Sequence, residues 1–198
     1  MSVSSKNTQI LKNHLNIQKL YFQTNLNHKS IEFCFLHLTS ESFRKKNSEK
    51  QEESIKKLRK SLGTQIETAL SSNISSKNKT LLTNYNKNIH TFFLDEERVL
   101  FEEFIFVIEM IVKSHKFIIV ENGSFYMNDN IVLKPKDKII IINKVKKEYF
   151  PIVSNDEFIF NIENETIQLI QSFLTKKEEQ KEKYNEPIVI FDDDTQDN

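Results

Sequence analysis

The spacing of apolar residues changes at about residue 115, and this change limits the folds open to the chain. Before it, apolar residues recur every three or four positions, as in Ile55, Leu58, Leu62, Ile66 and Leu70, which is the period of an amphipathic helix. After it, short β-branched and aromatic runs are separated by turn residues, which is typical of strands. Helices followed by strands predict an α+β fold.

Helices account for most of the predicted structure before residue 115. One is predicted over residues 10–22 from its near-helical apolar spacing, and another begins at Ser48, where Gln51 completes a capping box. A third is predicted over residues 96–114, with Asp95 as its N-cap. This third helix is apolar almost all round, so we expect it to be buried on several sides as the central packing element.

The segment IEFCFLHLT, residues 31–39, is predicted to be a strand because it is short, β-branched and aromatic. It holds the single cysteine of the chain, Cys34, which excludes an internal disulfide. With the lack of a signal peptide, this indicates an intracellular location, in the cytoplasm or nucleus. In a strand, His37 would point to the face opposite Cys34 and could not act as its base. A cysteine-dependent hydrolase is therefore kept only as the last alternative.

Residues 116–175 are predicted to form a compact antiparallel meander followed by a closing helix. Asn122-Gly123 joins two of its strands, because both positions of a type I′ turn need positive φ angles. This order of strands and helix resembles a pleckstrin-homology-like module, and an SH3-like or tudor-like barrel fits the same layout. The predicted fold is thus α+β, with a helical N-terminal half packed on a small antiparallel β module closed by a C-terminal helix.

Four regions divide the chain on this interpretation. They are a flexible N-terminus at 1–9, a mainly helical region with one early strand at 10–115, the β meander with its closing helix at 116–175, and a spacer with a tail peptide at 176–198. The spacer sequence KKEEQKEKYNE is charged and of low complexity, so it separates the tail from the rest of the chain.

The sequence contains no recognisable pattern of catalytic or metal-binding residues. Five histidines show no paired metal-ligand spacing, and one cysteine cannot build a structural zinc site. The two glycines, Gly63 and Gly123, are too few for a phosphate-binding loop. The sequence therefore predicts that the chain is not an enzyme and that it holds no cofactor and no metal.

Charge is unevenly distributed along the chain, although its net charge is zero. Residues 1–91 hold 15 Lys and Arg against 6 Asp and Glu, and the remainder holds 13 against 22. The basic half could contact nucleic acid or a ribonucleoprotein. The alternative is that the two oppositely charged halves simply lie against each other or face water. The candidate phosphate contacts are Arg44, Lys45, Lys46, Lys56, Lys57, Arg59 and Lys60.

The tail contains PIVIFDDD, a short β-branched run followed by three acids. This resembles a SUMO-interacting motif, in which an extended peptide adds a strand to the sheet edge of its partner while acids meet basic residues at the rim. The candidate partner-binding residues are Ile188, Val189, Ile190, Phe191, Asp192, Asp193 and Asp194. Docking on another partner, folding back on the chain's own sheet, and a disordered tail with an accidental apolar run are the alternatives.

These features together predict a non-enzymatic interaction subunit or adaptor of a larger intracellular assembly, which docks a partner through its C-terminal peptide. A ubiquitin-like protein or a large complex is the expected partner. A membrane is not, because the apolar run before residue 113 is shorter than the roughly 20 residues of a membrane helix. A factor associated with nucleic acid, a ribonucleoprotein or the ribosome is the first alternative, and the hydrolase is the second.

Overall fold

The computed structural model describes part of the chain. The described residues are 20–22, 29–72, 77–122, 124–128, 133–154, 157–165, 167–168 and 170–172. The predictions made for the N-terminus 1–9 and for the spacer and tail 176–198, including the motif at 188–194, lie outside these residues.

Helices predominate among the described residues before 115, as the apolar spacing predicts. They are α1 (Ile31–Thr39), α2 (Glu41–Arg44), α3 (Ser48–Ser71), α4 (Lys77–Asn86), α5 (Ile89–Leu94), α6 (Glu102–Phe106) and a π-helix (Val107–Val112). The helix predicted from Ser48 is confirmed as α3, but its cap is Asn47, whose Oδ1 accepts a hydrogen bond from Lys50 N at 3.0 Å. Further helical residues lie within 165–172, where the closing helix is predicted.

The described strands form one mixed sheet in the order β1-β5-β4-β2-β3. They are β1 (Leu20–Phe22), β2 (His115–Glu121), β3 (Ser124–Tyr126), β4 (Lys138–Val145) and β5 (Glu148–Ser154). β2 and β3 pair antiparallel after Asn122, whose φ of 51° is the positive angle that the predicted turn requires. β2 and β4, however, run parallel, with Ile119 opposite Ile142, so the prediction of an all-antiparallel module is wrong. Local patterns give strands but not their partners, which are far apart in sequence.

β1 covers one edge of β5. Tyr21 lies opposite Val153 and Phe22 lies opposite Ile152, in antiparallel register. The helix predicted over residues 10–22 is therefore wrong at its C-terminal end, and the rest of that prediction falls outside the described residues. Because β1 pairs on one side and β4 on the other, β5 is an inner strand.

The segment 31–39 forms α1, so the prediction of a strand is wrong there. Ser30 begins the helix, since its Oγ accepts a hydrogen bond from Phe33 N at 3.1 Å. Glu32 lies in the first turn, where the helix dipole favours a negative charge. Apolar residues surround α1 on most sides, and Cys34 is completely buried. A helix buried on several faces has no single apolar stripe, which is why its sequence has the composition of a buried strand.

The long helix predicted over residues 96–114 is divided into shorter pieces. Asp95 ends α5 instead of beginning a new helix, because its N–H donates to Thr91 O at 3.0 Å. Helix resumes at Glu102 and continues into the π-helix, which ends at Lys113 with a φ of 60°. Its apolar residues still pack in the core, so the expected burial is confirmed while the continuity is not.

The two faces of the sheet bury separate apolar cores. Along β4, Ile140 and Ile142 pack with the helices, whereas Ile139 and Ile141 pack on the opposite face with Phe160. The first core takes residues from α1, α3, α4, α5, α6 and three strands, so helices and sheet share it. The predicted α+β class is confirmed.

No helix within the described ranges is long and apolar enough to cross a membrane.

Candidate functional site: a groove beside the sheet edge

A groove with a volume of about 430 Å³ opens between the helices and the β2–β3 end of the sheet. This volume lies within the range of cavities that bind ligands. Its lining residues come from α4, α6, β2, β3, β4 and adjoining loops. They are Tyr85, Phe101, Glu102, Ile105, Phe106, Phe117, Ile119, Glu121, Tyr126, Met127, Asn128 and Lys144. We refer to this surface as the groove.

Two tyrosines stand at the rim of the groove. Tyr85 is 40% exposed and stacks on Phe106 with the ring centroids 4.1 Å apart. Tyr126, the last residue of β3, is 49% exposed. Side chains of this kind offer a large apolar area together with a polar end, and they are enriched where proteins bind each other. The rim therefore has the chemistry of a protein contact surface.

The charged residues of the groove leave it with an acidic end. Lys144 pairs with Glu121, with Nζ 3.3 Å from Oε1, and its ammonium also lies 4.4 Å from the Phe101 ring centroid. Glu102 is exposed. Burial raises the pKa of Tyr85, and the neighbouring carboxylates, including Glu102, raise it further. A partner with a basic group beside an apolar one would complement this end.

One wall of the groove is fastened by a buried carboxyl. Glu109, in the π-helix, is 1% exposed, and its Oε1 accepts a hydrogen bond from Phe117 N at 2.7 Å. Its Oε2 accepts a hydrogen bond from Asn128 Nδ2 at 3.3 Å. Burial raises the pKa of Glu109 to about 7, although these hydrogen bonds and the ammonium of Lys116 oppose the shift. The carboxyl thus joins the π-helix to β2 and to the segment after β3.

The groove adjoins an edge of the sheet. β3 is the last strand in the sheet order, and within the described part of the chain its outer side pairs with no strand. An extended segment from another molecule can add to the last strand of a sheet through main-chain hydrogen bonds. Because Tyr126 belongs both to β3 and to the groove, a segment added there would lie beside the pocket.

Arg59 does not fit its predicted role as a phosphate contact. It is buried, and its guanidinium lies 3.4 Å from Glu32 Oε1. The same guanidinium donates to the main-chain carbonyls of Phe92, Phe93, Asp95 and Arg98. This residue therefore ties α3 to α1 and to the chain around the end of α5. A basic residue on the inner side of a helix was mistaken for part of its solvated face.

Most of the other predicted phosphate contacts already have partners inside the chain. Lys45 pairs with Glu41 at 2.5 Å, Lys56 with Glu96 at 2.9 Å and Lys57 with Glu53 at 3.7 Å. Arg44 donates to His37 O at 2.6 Å and lies over the Phe158 ring, and Lys46 donates to Ser54 Oγ at 2.7 Å. Lys60 is exposed on α3. The lysines remain near the surface, so their contact with phosphate stays a prediction.

Cys34 and His37 lie three positions apart on α1, so they are close to the same side of a helix rather than on opposite faces of a strand. The thiol has 0% exposure. Burial raises its pKa well above the usual value, and the nearby Glu32 raises it further. A thiol in this position stays protonated and has no access to a substrate. Within the described residues, no cluster of His, Cys, Asp and Glu suited to a metal ion is found.

Sequence analysis missed the groove because its residues come from elements that are distant in the chain. Glu109 did carry a signal, since it is the only charged residue within the apolar run FIFVIEMIV. In the continuous helix predicted over residues 96–114, Glu109 would belong to the narrow polar face, whereas the structure buries it. A lone acid inside a long apolar run indicates either a solvated helix face or a buried carboxyl that accepts hydrogen bonds, and only the tertiary structure distinguishes the two.

Comparison with known proteins finds no matching family model and no matching curated protein. Among solved structures, the chain is similar to an ovarian tumour (OTU) domain whose structure was determined in complex with ubiquitin. The two are 15% identical, the alignment covers 79% of this chain and 88% of that chain, and the TM-score is 0.47.

This similarity contradicts two of the sequence-based predictions. The predictions of an adaptor and of a chain that is not an enzyme are therefore withdrawn. They rested on the lack of catalytic spacing in the sequence, and residues that are close in a folded site need not be close along the chain.

Proposed function

We propose that this chain binds a protein of the ubiquitin-like class and that the groove is its contact surface. The observation that carries the proposal is the groove itself, with an apolar floor, two exposed tyrosines at its rim and an acidic end. Contact surfaces that dominate protein binding have this composition, in which aromatic anchors surround a pocket and charges stand at the rim.

The form of the groove favours a protein over a small molecule as the occupant. The rim tyrosines are nearly half exposed, so they would gain burial only from a partner larger than the pocket. The exposed carboxylate of Glu102 suits a partner segment with a basic side chain. The resemblance of residues 188–194 to a SUMO-interacting motif supports the same class of partner.

Titration of the isotope-labelled chain with ubiquitin, and separately with a SUMO protein, tests the proposal by NMR. We expect one of them to perturb the resonances of groove residues. Tyr126→Ala should weaken that binding about tenfold or more, because an aromatic anchor at the rim loses its contact area. Val99→Ala is the matched control, since Val99 is 68% exposed and does not line the groove. The proposal is refuted if neither ubiquitin nor the SUMO protein binds at about 1 mM, or if Tyr126→Ala and Val99→Ala bind with equal affinity.

The same partners can separate binding from hydrolysis. Ubiquitin carrying a C-terminal electrophile captures a reactive thiol, and mass spectrometry locates the adduct. Because Cys34 is buried and its pKa is raised, we expect any adduct at this residue to form slowly in the folded chain. An adduct at Cys34 that forms rapidly and disappears in Cys34→Ala would support the cysteine-dependent hydrolase.

A further inference from the structure

We propose that Lys144 is the specificity-determining residue of the groove. Its ammonium already fills the place, between the Glu121 carboxylate and the Phe101 ring, where a cation of the partner would otherwise bind. That part of the groove is left to an uncharged apolar side chain, and a basic group of the partner is directed to Glu102 instead. The inference rests on the proposed function, because it names the chemistry of the partner segment that the same surface accepts.

The sheet places Lys144 between two neighbours. Glu121 on β2 lies opposite Lys144 on β4, and Lys144 lies opposite Tyr149 on β5. Side chains at paired positions share a face of the sheet, so these three stand in one row on the face that packs with the helices. Phe101 lies over the row, because its ring stacks on Tyr149 with the centroids 5.2 Å apart. We refer to the space bounded by Phe101, Glu121 and Lys144, which all line the groove, as the corner.

The Lys144 ammonium has the contacts of a bound cation. Nζ lies 3.3 Å from Glu121 Oε1 and 3.4 Å from Oε2, so it faces both oxygens of one carboxylate. It also lies 4.4 Å from the Phe101 ring centroid, a distance at which an aromatic face attracts a cation. The side chains of Lys144 and Glu121 are only 21% and 30% exposed, so solvent screens the pair less than a surface pair. A carboxylate beside an aromatic face binds a cation that fits, and here the chain supplies its own.

Lys144 leaves the corner without net charge, because its ammonium balances the Glu121 carboxylate. Burial raises the pKa of Tyr149 to about 12, and the Glu121 carboxylate raises it further, so the phenol stays uncharged near neutral pH. The residue before Glu121 on the same face of β2 is Ile119, which also lines the groove. An apolar side chain of the partner can therefore pack here without covering an unpaired charge, whereas a second cation would be repelled by Lys144.

Affinity for the partner tests the inference, with whichever of ubiquitin and the SUMO protein binds. Lys144→Met keeps much of the side-chain volume but leaves Glu121 unpaired beneath the partner, so we expect about tenfold weaker binding. Lys144→Arg should stay within about twofold of wild type, because a guanidinium also pairs with a carboxylate and stacks on an aromatic ring. Lys144→Met combined with Glu121→Gln should recover most of the affinity, because neither charge remains.

The combined variant separates specificity from a structural role. If Lys144 merely held the sheet or Phe101 in place, replacing Glu121 as well would not restore binding. Lys57→Met is the matched control, since Lys57 is exposed on α3, does not line the groove and should leave the affinity unchanged. Equal affinity of wild type and Lys144→Met would overturn the inference, and so would a combined variant that binds as weakly as Lys144→Met.

A small cation tests the corner without any partner. Propylammonium has the three carbons and the ammonium that Lys144→Ala removes, and the carboxyl carbon of Glu121 reports its binding by NMR. In Lys144→Ala we expect a saturable shift that is half complete below about 50 mM, and in wild type none, because Lys144 occupies the corner. Sodium chloride at the same ionic strength controls for screening. A shift of equal size in both proteins, or in neither, would show that the corner is not a cation site filled by Lys144.

The outcomes separate this inference from the proposed function. Propylammonium binding to Lys144→Ala alone, without binding of ubiquitin or the SUMO protein to wild type, would refute the proposed partner and leave the cation site at the corner intact. Partner binding that is equal in wild type, Lys144→Met and the combined variant would support the partner and overturn the role of Lys144 in specificity.

Discussion

Replacing Arg59 with methionine should destabilise the fold far more than loss of one surface charge would. Its guanidinium holds four main-chain carbonyls, among them Arg98 O at 2.9 Å and Phe92 O at 3.1 Å. It also faces Glu32, and the side chains of the two are only 10% and 3% exposed. Methionine can fill much of the same volume, so the loss reports the polar contacts rather than a cavity.

The magnitude follows from what is left behind. Without Arg59, Glu32 stays buried with no cation beside it, and its pKa, already raised by burial, rises further. Removing one partner of a buried ion pair typically costs about 3–5 kcal/mol. For a chain of this size, that loss lowers the melting temperature by roughly 6–20 °C. Glu32→Gln should recover part of it, because the amide needs no counter-charge.

Urea unfolding of the four members of this double-mutant cycle measures the effect. The coupling between positions 32 and 59 should reach about 2 kcal/mol. Lys57→Met is the control, since Lys57 and Glu53 are both exposed, and its effect should stay within about 0.5 kcal/mol. A loss below about 1 kcal/mol for Arg59→Met would show that this guanidinium does not hold α3 against its neighbours.

Three further predictions concern stability. Glu109 has a pKa of about 7 in the fold against 4.5 when unfolded, so its contribution to the free energy of unfolding is fully present below pH 4.5 and is lost as pH rises through 7. In wild type, urea unfolding should therefore show a loss of about 3 kcal/mol over this pH range, and Glu109→Gln should not show it. An unchanged pH profile in Glu109→Gln would refute this prediction. Burial lowers the pKa values of His37 and His115 to about 4, so pH affects their contribution to the free energy of unfolding in the opposite direction. That contribution is lost as pH falls from 6.5 through 4. Ser30→Ala should cost about 1 kcal/mol by thermal unfolding, because it removes the cap of α1. Ser61→Ala, on the exposed face of α3, should cost nothing, and equal losses would deny Ser30 its capping role.

Local sequence signals predicted some of these elements well and others badly. The turn at Asn122 was predicted correctly because it needs a positive φ angle, which asparagine adopts readily. The apolar period identified α3, whose one buried face is clearly separated from its solvated one. The same rule failed for α1, because a helix buried on several sides has no such separation. The helix is interrupted after Asp95, where Arg59 donates hydrogen bonds to the main-chain carbonyls of Asp95 and Arg98, and no local pattern encodes these contacts.

The candidate site was less predictable than the fold. Tyr85 belongs to α4 and Tyr126 to β3, on either side of β2 in sequence, and only the packing of α4 and the β2–β3 pairing bring them to one rim. The basic run was visible in sequence, but which of its members points inward was not. Arg59 is buried although its neighbours in sequence, Lys57 and Lys60, are exposed, and the sequence alone does not distinguish it from them.

Leu20–Phe22 pair with β5 and thereby cover the edge of that strand. A version of this protein expressed from residue 23 onward would leave the main chain of Ile152 and Val153 open on one side. Bare strand edges recruit one another, so the shortened chain would self-associate through β5. An expressed chain should therefore include Leu20–Phe22.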